Sequence, residues 1–222
     1  PQSYMIDGQN GYLRVDQSVT ISELIRKIPF ETHERFIFPT QPSSSFKLPV
    51  RIGGLIATNA SGVTSGKLGA IADWIENIEI LTPKARKKKF YAADPEFIHI
   101  VGGMGIYGVI LNATIRLAPV ASNLNFQIVY GADLQGCFNG LAQIQKNQVF
   151  PLVNEFILSS DAIPGSFSKL FKKEDRKEQM RWAILLKGEE PILSQFIDLL
   201  SQSTSVYNQH LTEQDFKIFM EE

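Results

Sequence analysis

The spacing of apolar positions changes several times along the chain, and each change predicts an element. Residues 11–15, GYLRV, alternate and read as a short strand. Thr20-Ile-Ser-Glu23 is a capping box, with Thr20 at a helix start and Glu23 reaching back to it. Ile21, Leu24, Ile25 and Ile28 follow at helical spacing, and Pro29 is expected to end that helix. Residues 36–38 read as a short buried or edge strand. The three prolines and three serines of residues 39–50 predict a loop. Residues 74–82 predict a strand with Ile75, Ile78 and Ile80 partly inward. KARKKK at 84–89 reads as a hairpin tip and Phe90-Tyr91 as the return. Pro95 to Ile100 allows a helical turn or two. Residues 109–117 alternate cleanly, with Val109, Leu111, Ala113, Ile115 and Leu117 expected on one face and Pro119 closing the strand.

Beyond Val120 the texture changes, which places a domain boundary near 120–123. Residues 124–130 predict a strand, and Asp133 caps a helix over 134–147. Leu152 to Leu158 form a second strand, followed by a polar irregular stretch to Gln179. Trp182 to Leu186 form a third strand. Pro191 opens a helix at a favoured position, with Ile192, Phe196, Leu199 and Leu200 as its stripe. This β-α-β-(insert)-β-α order is most of a ferredoxin-like split βαβ unit, without an evident last strand.

Composition narrows the function classes. The 222 residues are 44% hydrophobic and 20% charged with a net charge of −1, as in an ordinary globular protein with no nucleic-acid-binding field. The single cysteine, Cys137, leaves no internal disulfide and no cysteine-based zinc site. No apolar run is long enough for a membrane span, and Pro1 to Gly8 lack the features of a signal peptide, so a cytoplasmic location is expected.

Glycine is the informative residue. Nine of the 16 glycines fall in two stretches, Gly53–Gly69 and Gly102–Gly108. Such clusters serve either tight turns between packed strands or close backbone approach to a bound group. Two dense clusters, one around the small apolar-polar run Ala57-Thr58-Asn59-Ala60-Ser61-Gly62, favour cofactor contact. Thr58, Asn59, Ser61, Thr64 and Ser65 add neutral hydrogen-bonding groups. Gly103, Gly105 and Gly108 also spell G-x-G-x-x-G, but a strand follows at Val109 where the dinucleotide motif requires a helix.

Residues 38–69 resemble the flavin-binding segment of the FAD-linked oxidases of the vanillyl-alcohol oxidase and p-cresol methylhydroxylase type. The nearest branch is that of the glycolate oxidases and D-lactate dehydrogenases. The resemblance rests on a proline loop, Ile52-Gly53-Gly54, Ala57 to Gly62, Leu68-Gly69 and Asp73-Trp74. It is extended by Gly102, Gly105, Gly108, Val109 and Ile110, and by the strand and helix of residues 10–25. It implies an α+β chain: part of an FAD-binding two-subdomain fold over 1–121, then the start of a ferredoxin-like α/β substrate cap domain over 122–222. By the same resemblance FAD would be held by Gln41, Pro42, Ser43, Ile52, Gly53, Gly54, Ala57, Asn59, Ala60, Ser61, Gly62 and Gly69 along the flavin and its chain. Gly105, Gly108, Val109 and Ile110 would lie towards the adenine half.

The implied function is FAD-dependent oxidation of a 2-hydroxy acid or similar small alcohol. The alternative is a non-catalytic or partner-dependent relative that does not bind FAD by itself. Departures from the pattern motivate it: a P-x-G-G-G-T-like phosphate loop is expected before residue 1, and Met104 and Ile106 stand where the family has Glu and Thr. The chain is therefore expected to be truncated at both ends, and self-association or a partner subunit is expected.

The remaining candidates are weaker. The basic run 84–89 reads as a solvated tip. His33, His99 and His210 form no metal-binding spacing. His99 is expected to be a partly buried structural residue, Tyr107 a packing residue, Cys137 a small buried one, and Glu155 structural or substrate-facing. No catalytic base is identifiable.

Overall fold

The computed structural model describes residues 3–46, 48–158 and 181–215. The chain divides into two compact units, Pro1–Ser122 and Asn123–Glu222. The irregular stretch expected up to Gln179 lies largely outside the described residues.

The first unit is built on an antiparallel sheet of five strands: β1 (Tyr4–Asp7), β2 (Tyr12–Asp16), β4 (Ile75–Leu81), β5 (Lys87–Tyr91) and β6 (Val109–Arg116). Their order is β1-β2-β6-β4-β5. A small ladder pairs β3 (Phe36–Ile37) with β7 (Ala118–Pro119), so the chain forms a further bridge at Pro119 where the sequence suggests only an ending. Leu13 and Val15 of β2 point into the core, as its alternation predicts.

Helix α1 (Ile21–Glu31) starts at Thr20, whose hydroxyl oxygen accepts the Glu23 amide at 3.4 Å, and buries Ile21, Leu24 and Ile28. Pro29 lies inside this helix instead of ending it. Its ring removes one donor close to the C-terminus, where the helix is about to stop, and the Thr32 hydroxyl closes that end by donating to the Ile28 carbonyl at 2.7 Å.

The inward faces of the central strands depart from simple alternation. The β4–β6 register shifts between Glu79 and Ile80, pairing Glu79 with Asn112 but Ile80 with Ile110. Leu111 is the extra residue of a bulge, and the bulge reverses the facing of everything on its far side. Ile110 and Ala113 are therefore both buried, whereas Val109, expected inward, is 60% exposed. A second shift, between Ile75 and Asn77, lets Ile75, Ile78 and Ile80 all reach the core.

The second unit has a sheet ordered β11-β8-β10-β9, comprising β8 (Asn125–Gly131), β9 (Val153–Leu158), β10 (Trp182–Gly188) and β11 (Tyr207–Leu211). Its strands are antiparallel to their neighbours. After the first unit's short helices α2 (Ile52–Ala57), α3 (Ser65–Leu68) and α4 (Phe97–Ile100), helices α5 (Leu134–Lys146) and α6 (Glu190–Ser201) of the second unit complete a split βαβ arrangement, and β11 is the final strand that the sequence does not reveal. The sequence Tyr207-Asn-Gln-His-Leu211 carries one buried residue, Leu211, so it has no apolar alternation to read. Asp133 caps α5 by accepting the Gly136 amide at 3.0 Å. Helix α6 buries Leu193, Phe196 and Leu200, with Ile192 and Leu199 half-buried against the same core. Trp182, Ile184 and Leu186 pack with Cys137 and Phe196 in this unit's core.

Candidate functional site

The two glycine stretches meet. Residues 52–57 form a short helix, α2 (Ile52–Ala57), with Ile52, Leu55 and Ile56 buried beneath it. A helix end leaves carbonyls without partners. Here the second stretch supplies them: the amides of Gly102 and Met104 donate to the carbonyls of Ile56 and Ala57 at 3.0 and 2.8 Å. The Thr58 hydroxyl adds a bond to the Gly54 carbonyl at 2.9 Å. Two stretches far apart in sequence thus make one continuous surface.

Several glycines of the two stretches are accounted for by the protein's own packing. A side chain at Gly62 would strike the backbone of Gln41 and Pro42, and one at Gly103 the carbonyl of His99. Gly108 has φ 148° and lies against the Leu81 carbonyl of the neighbouring strand. Gly69 adopts φ 76° beside Asp73, whose carboxylate accepts the Ala70 amide at 2.9 Å. Trp74 donates its indole N–H to the Leu68 carbonyl at 2.7 Å. The Leu68-Gly69 and Asp73-Trp74 pairs of the resemblance therefore hold a turn together.

Other positions remain open. Gly54 and Gly105 face space: nothing lies within 4 Å of a Cβ at Gly54, and only the Gly108 carbonyl reaches 4.0 Å at Gly105. Thr58, Asn59 and Ser61 are exposed, and Ala57 and Ala60 half-buried. Asn59 has φ 46°, a conformation asparagine tolerates, and its side-chain oxygen accepts the Ala72 amide at 3.1 Å. Ile52 and Ile110 lie in the core, so their side chains belong to the scaffold. Gly53 donates its amide to the Gln17 carbonyl at 3.0 Å. In the proline loop, Pro42 is half-buried and Ser43 exposed, while the fully buried Thr40 hydroxyl has no partner among the described residues.

Two histidine and aromatic readings need correction. His99 is exposed, not partly buried. Tyr107 is 49% exposed and stands 6.1 Å from the His99 ring, so it is not a core residue. It belongs to a run of exposed apolar side chains with Ile98, Met104, Ile106 and Val109. Short sequence windows do not separate such a run from a core segment, because exposure depends on what packs above it.

The charged candidates lie elsewhere. The β4–β5 tip spans Thr82–Arg86, so Lys87, Lys88 and Lys89 sit on the strand and not at the tip. Glu155 lies on β9 opposite Leu185, half-buried. Among the described residues no cluster of His, Cys, Asp and Glu is suited to a metal, and no helix is long and apolar enough to cross a membrane.

Cys137 is fully buried, as expected, and burial together with the Asp133 charge pushes its thiol up to about 12. At pH near 8 fewer than about one thiol in a thousand is then ionised. A thiol reagent should leave native protein unmodified and react only after denaturant is added; rapid stoichiometric labelling of the native protein would contradict this environment.

Comparison with known proteins gives a consistent class. No protein-family model matches the chain. It is 21% identical over 212 residues to a D-lactate dehydrogenase of Anaerostipes hadrus, covering 90% of this chain and 43% of that protein. It is 26% identical over 127 residues to a D-lactate dehydrogenase of Archaeoglobus fulgidus, covering 54% and 28%. Among solved structures, an alkyldihydroxyacetonephosphate synthase matches 98% of this chain and 43% of its own, with TM-score 0.77 at 16% identity, a likeness that shows the fold. The chain spans less than half the length of these relatives. These relatives are members of the FAD-binding oxidase family, the level at which the comparison meets the resemblance of residues 38–69 and 102–110.

Proposed function

We propose that this chain is part of an FAD-dependent oxidoreductase that oxidises a 2-hydroxy acid or a similar small alcohol. The observation that carries the reading is the surface made where the amides of Gly102 and Met104 cap α2. That surface presents Gly54 and Gly105 to open space and adds exposed Thr58, Asn59 and Ser61 without a single charge. Small residues admit a planar ring system and an extended chain close to the backbone, and neutral hydroxyls and amides bond it without fixing its charge.

Gly54, Ala57, Asn59, Ala60, Ser61 and Gly105 would line the cofactor, with Pro42, Ser43, Gly69 and Val109 at its margins. Gly53, Gly62 and Gly108 would act by shaping the backbone, and Ile52 and Ile110 by anchoring that surface to the core. Bound FAD supplies acceptance of a hydride equivalent from a substrate C–H. The 2-hydroxy-acid class rests on the names of the two dehydrogenase relatives and on the sequence resemblance.

The second reading is a protein that keeps this fold without holding FAD by itself. Met104 favours it: the side chain is 70% exposed and apolar and its φ is 52°, at a position where the resemblance leads one to expect an acid. Purification of the natural full-length protein separates the two. The first reading expects a yellow protein with flavin absorbance and loss of that colour on removing FAD. A colourless protein whose melting temperature is unmoved by added FAD would leave the second.

A further inference from the structure

We infer that the free edge of β1 is a docking surface for the same edge of a second copy of the chain, the two strands pairing antiparallel about a two-fold axis at Met5. The sheet of the first unit ends at β5 on one side and at β1 on the other. An edge strand presents a row of unpaired backbone donors and acceptors, and such a row pairs with another chain unless something blocks it. The two edges differ in this respect. Along β5, Lys87, Lys88 and Lys89 are all exposed, and Lys88 and Lys89 lie over the Phe90 and Tyr91 rings at 4.3 and 5.1 Å. A run of lysines is a common guard against edge pairing. Strand β1, Tyr4–Asp7, has no lysine, arginine or proline, and its pairing with β2 runs without a bulge. Its Met5 is 61% exposed.

The register shows which groups this edge offers. The Asp16 amide donates to the Ser3 carbonyl at 2.8 Å, which makes Ser3 and Asp16 a hydrogen-bonded pair. The two kinds of pair alternate along an antiparallel ladder. Met5 opposite Arg14 and Asp7 opposite Tyr12 therefore also turn their backbone groups towards β2. Tyr4 and Ile6 turn theirs outward, and no backbone bond to another described residue takes them. A two-fold axis at Met5 sets Tyr4 of one copy opposite Ile6 of the other. Each copy's outward N–H and C=O groups then meet those of its mate.

The same axis keeps both faces of the sheet in step. Tyr4 and Ile6 pack against the core of the first unit, and Met5 points to the opposite face. Pairing Tyr4 with Ile6 continues the core-side face from one sheet into the next, and Met5 meets Met5 on the other face. Asp7 falls opposite Ser3, so no like charges face one another. A one-residue slip would set Tyr4 opposite Asp7 and break both faces. Centring the axis on Ile6 would call on the Gly8 carbonyl, which already accepts from the Arg35 guanidinium at 2.6 Å. A strand of four residues makes a small interface, so the dimer should dissociate on dilution. This inference does not depend on the flavin reading.

The test is sedimentation of the natural full-length protein, which should show that dilutable dimer. Met5→Lys sets two ammonium groups opposite each other and should raise the dissociation constant about tenfold. Met5→Glu should act alike, and an equimolar mixture of the two variants should return to the parent value. Met5 is exposed, so neither change disturbs the core. Met5→Cys would place two thiols on residues whose Cα atoms lie about 4.5 Å apart across the axis, within disulfide reach, so mild oxidation should link two copies. Cys137 is buried and does not compete. Lys89→Cys, on the guarded edge, should not link. A monomeric parent, a dimer unmoved by Met5→Lys, or equal linking of the two cysteine variants would overturn the proposal. So would a Met5→Cys monomer that resists thiol reagents, because another segment of the full-length protein would then occupy the edge.

Discussion

Gly62→Ala should destabilise the first unit by about 1–3 kcal/mol, near the upper end of that range, and should disorganise the candidate flavin surface with it. The added methyl would meet the carbonyl of Gln41 and, at 2.6 Å, the nitrogen of Pro42. Both obstacles are backbone, so neither can rotate away. The opposing segment is also pinned: Val63 donates its amide to the Gln41 carbonyl at 2.9 Å, and the buried Thr64 hydroxyl donates to the Pro39 carbonyl at 2.6 Å. The strain must therefore spread into the loop that carries Pro42 and Ser43.

Gly54→Ala is the matched control. Gly54 is helical and faces open space, so alanine should stabilise by about 0.4–1 kcal/mol through the unfolded chain. If the flavin reading holds, Gly54→Ala also lowers FAD affinity in the full-length protein while raising stability. Urea unfolding of both variants checks the first part and flavin titration the second. Equal stability effects at Gly62 and Gly54 would contradict the packing described here.

Trp182→Ala should be more damaging still, at about 3–5 kcal/mol, and its effect should be confined to the second unit. Trp182 is fully buried, packs beside Cys137 and Phe196, and donates its indole N–H to the Asp133 carbonyl at 3.0 Å. Removing it leaves a large cavity and takes from the Asp133 carbonyl one of its two donors, the other being the Cys137 amide at 3.1 Å. The first unit has its own core of Leu13, Ile21, Leu24, Ile78 and their neighbours. Two readouts follow the separation. Cys137 should become reactive to thiol reagents at lower urea than in the parent protein. Trp74, the only other tryptophan, should report an unchanged transition for the first unit. A parallel shift of both probes would mean that the two cores unfold as one.

Much of the chain's local structure is legible in the sequence. Thr20 and Asp133 announce two helices because a short side-chain oxygen ahead of an apolar stripe satisfies helix amides whatever the surroundings. Residues 11–15 alternate because one face of β2 meets the core and the other does not. The change of texture after Val120 falls where the two compact units divide. The strand at 207–211 is not legible, since its pairing with β8 is made by backbone groups that every residue carries.

The glycine clusters show where the sequence's authority ends. By itself it determined that residues 53–69 and 102–108 need either tight turns or backbone that approaches something closely, the two uses that glycine density serves in ordered segments. It could not say what is approached. The tertiary structure decided that Gly62, Gly103 and Gly108 approach the protein's own chain, while Gly54 and Gly105 are the ones left facing open space. It also decided that the β4–β6 bulge turns Val109 outward and that Tyr107 stands against the basic hairpin. The reason is physical: propensity and periodicity are properties of neighbours along the chain, whereas clearance around a missing side chain is set by atoms brought from elsewhere in the fold.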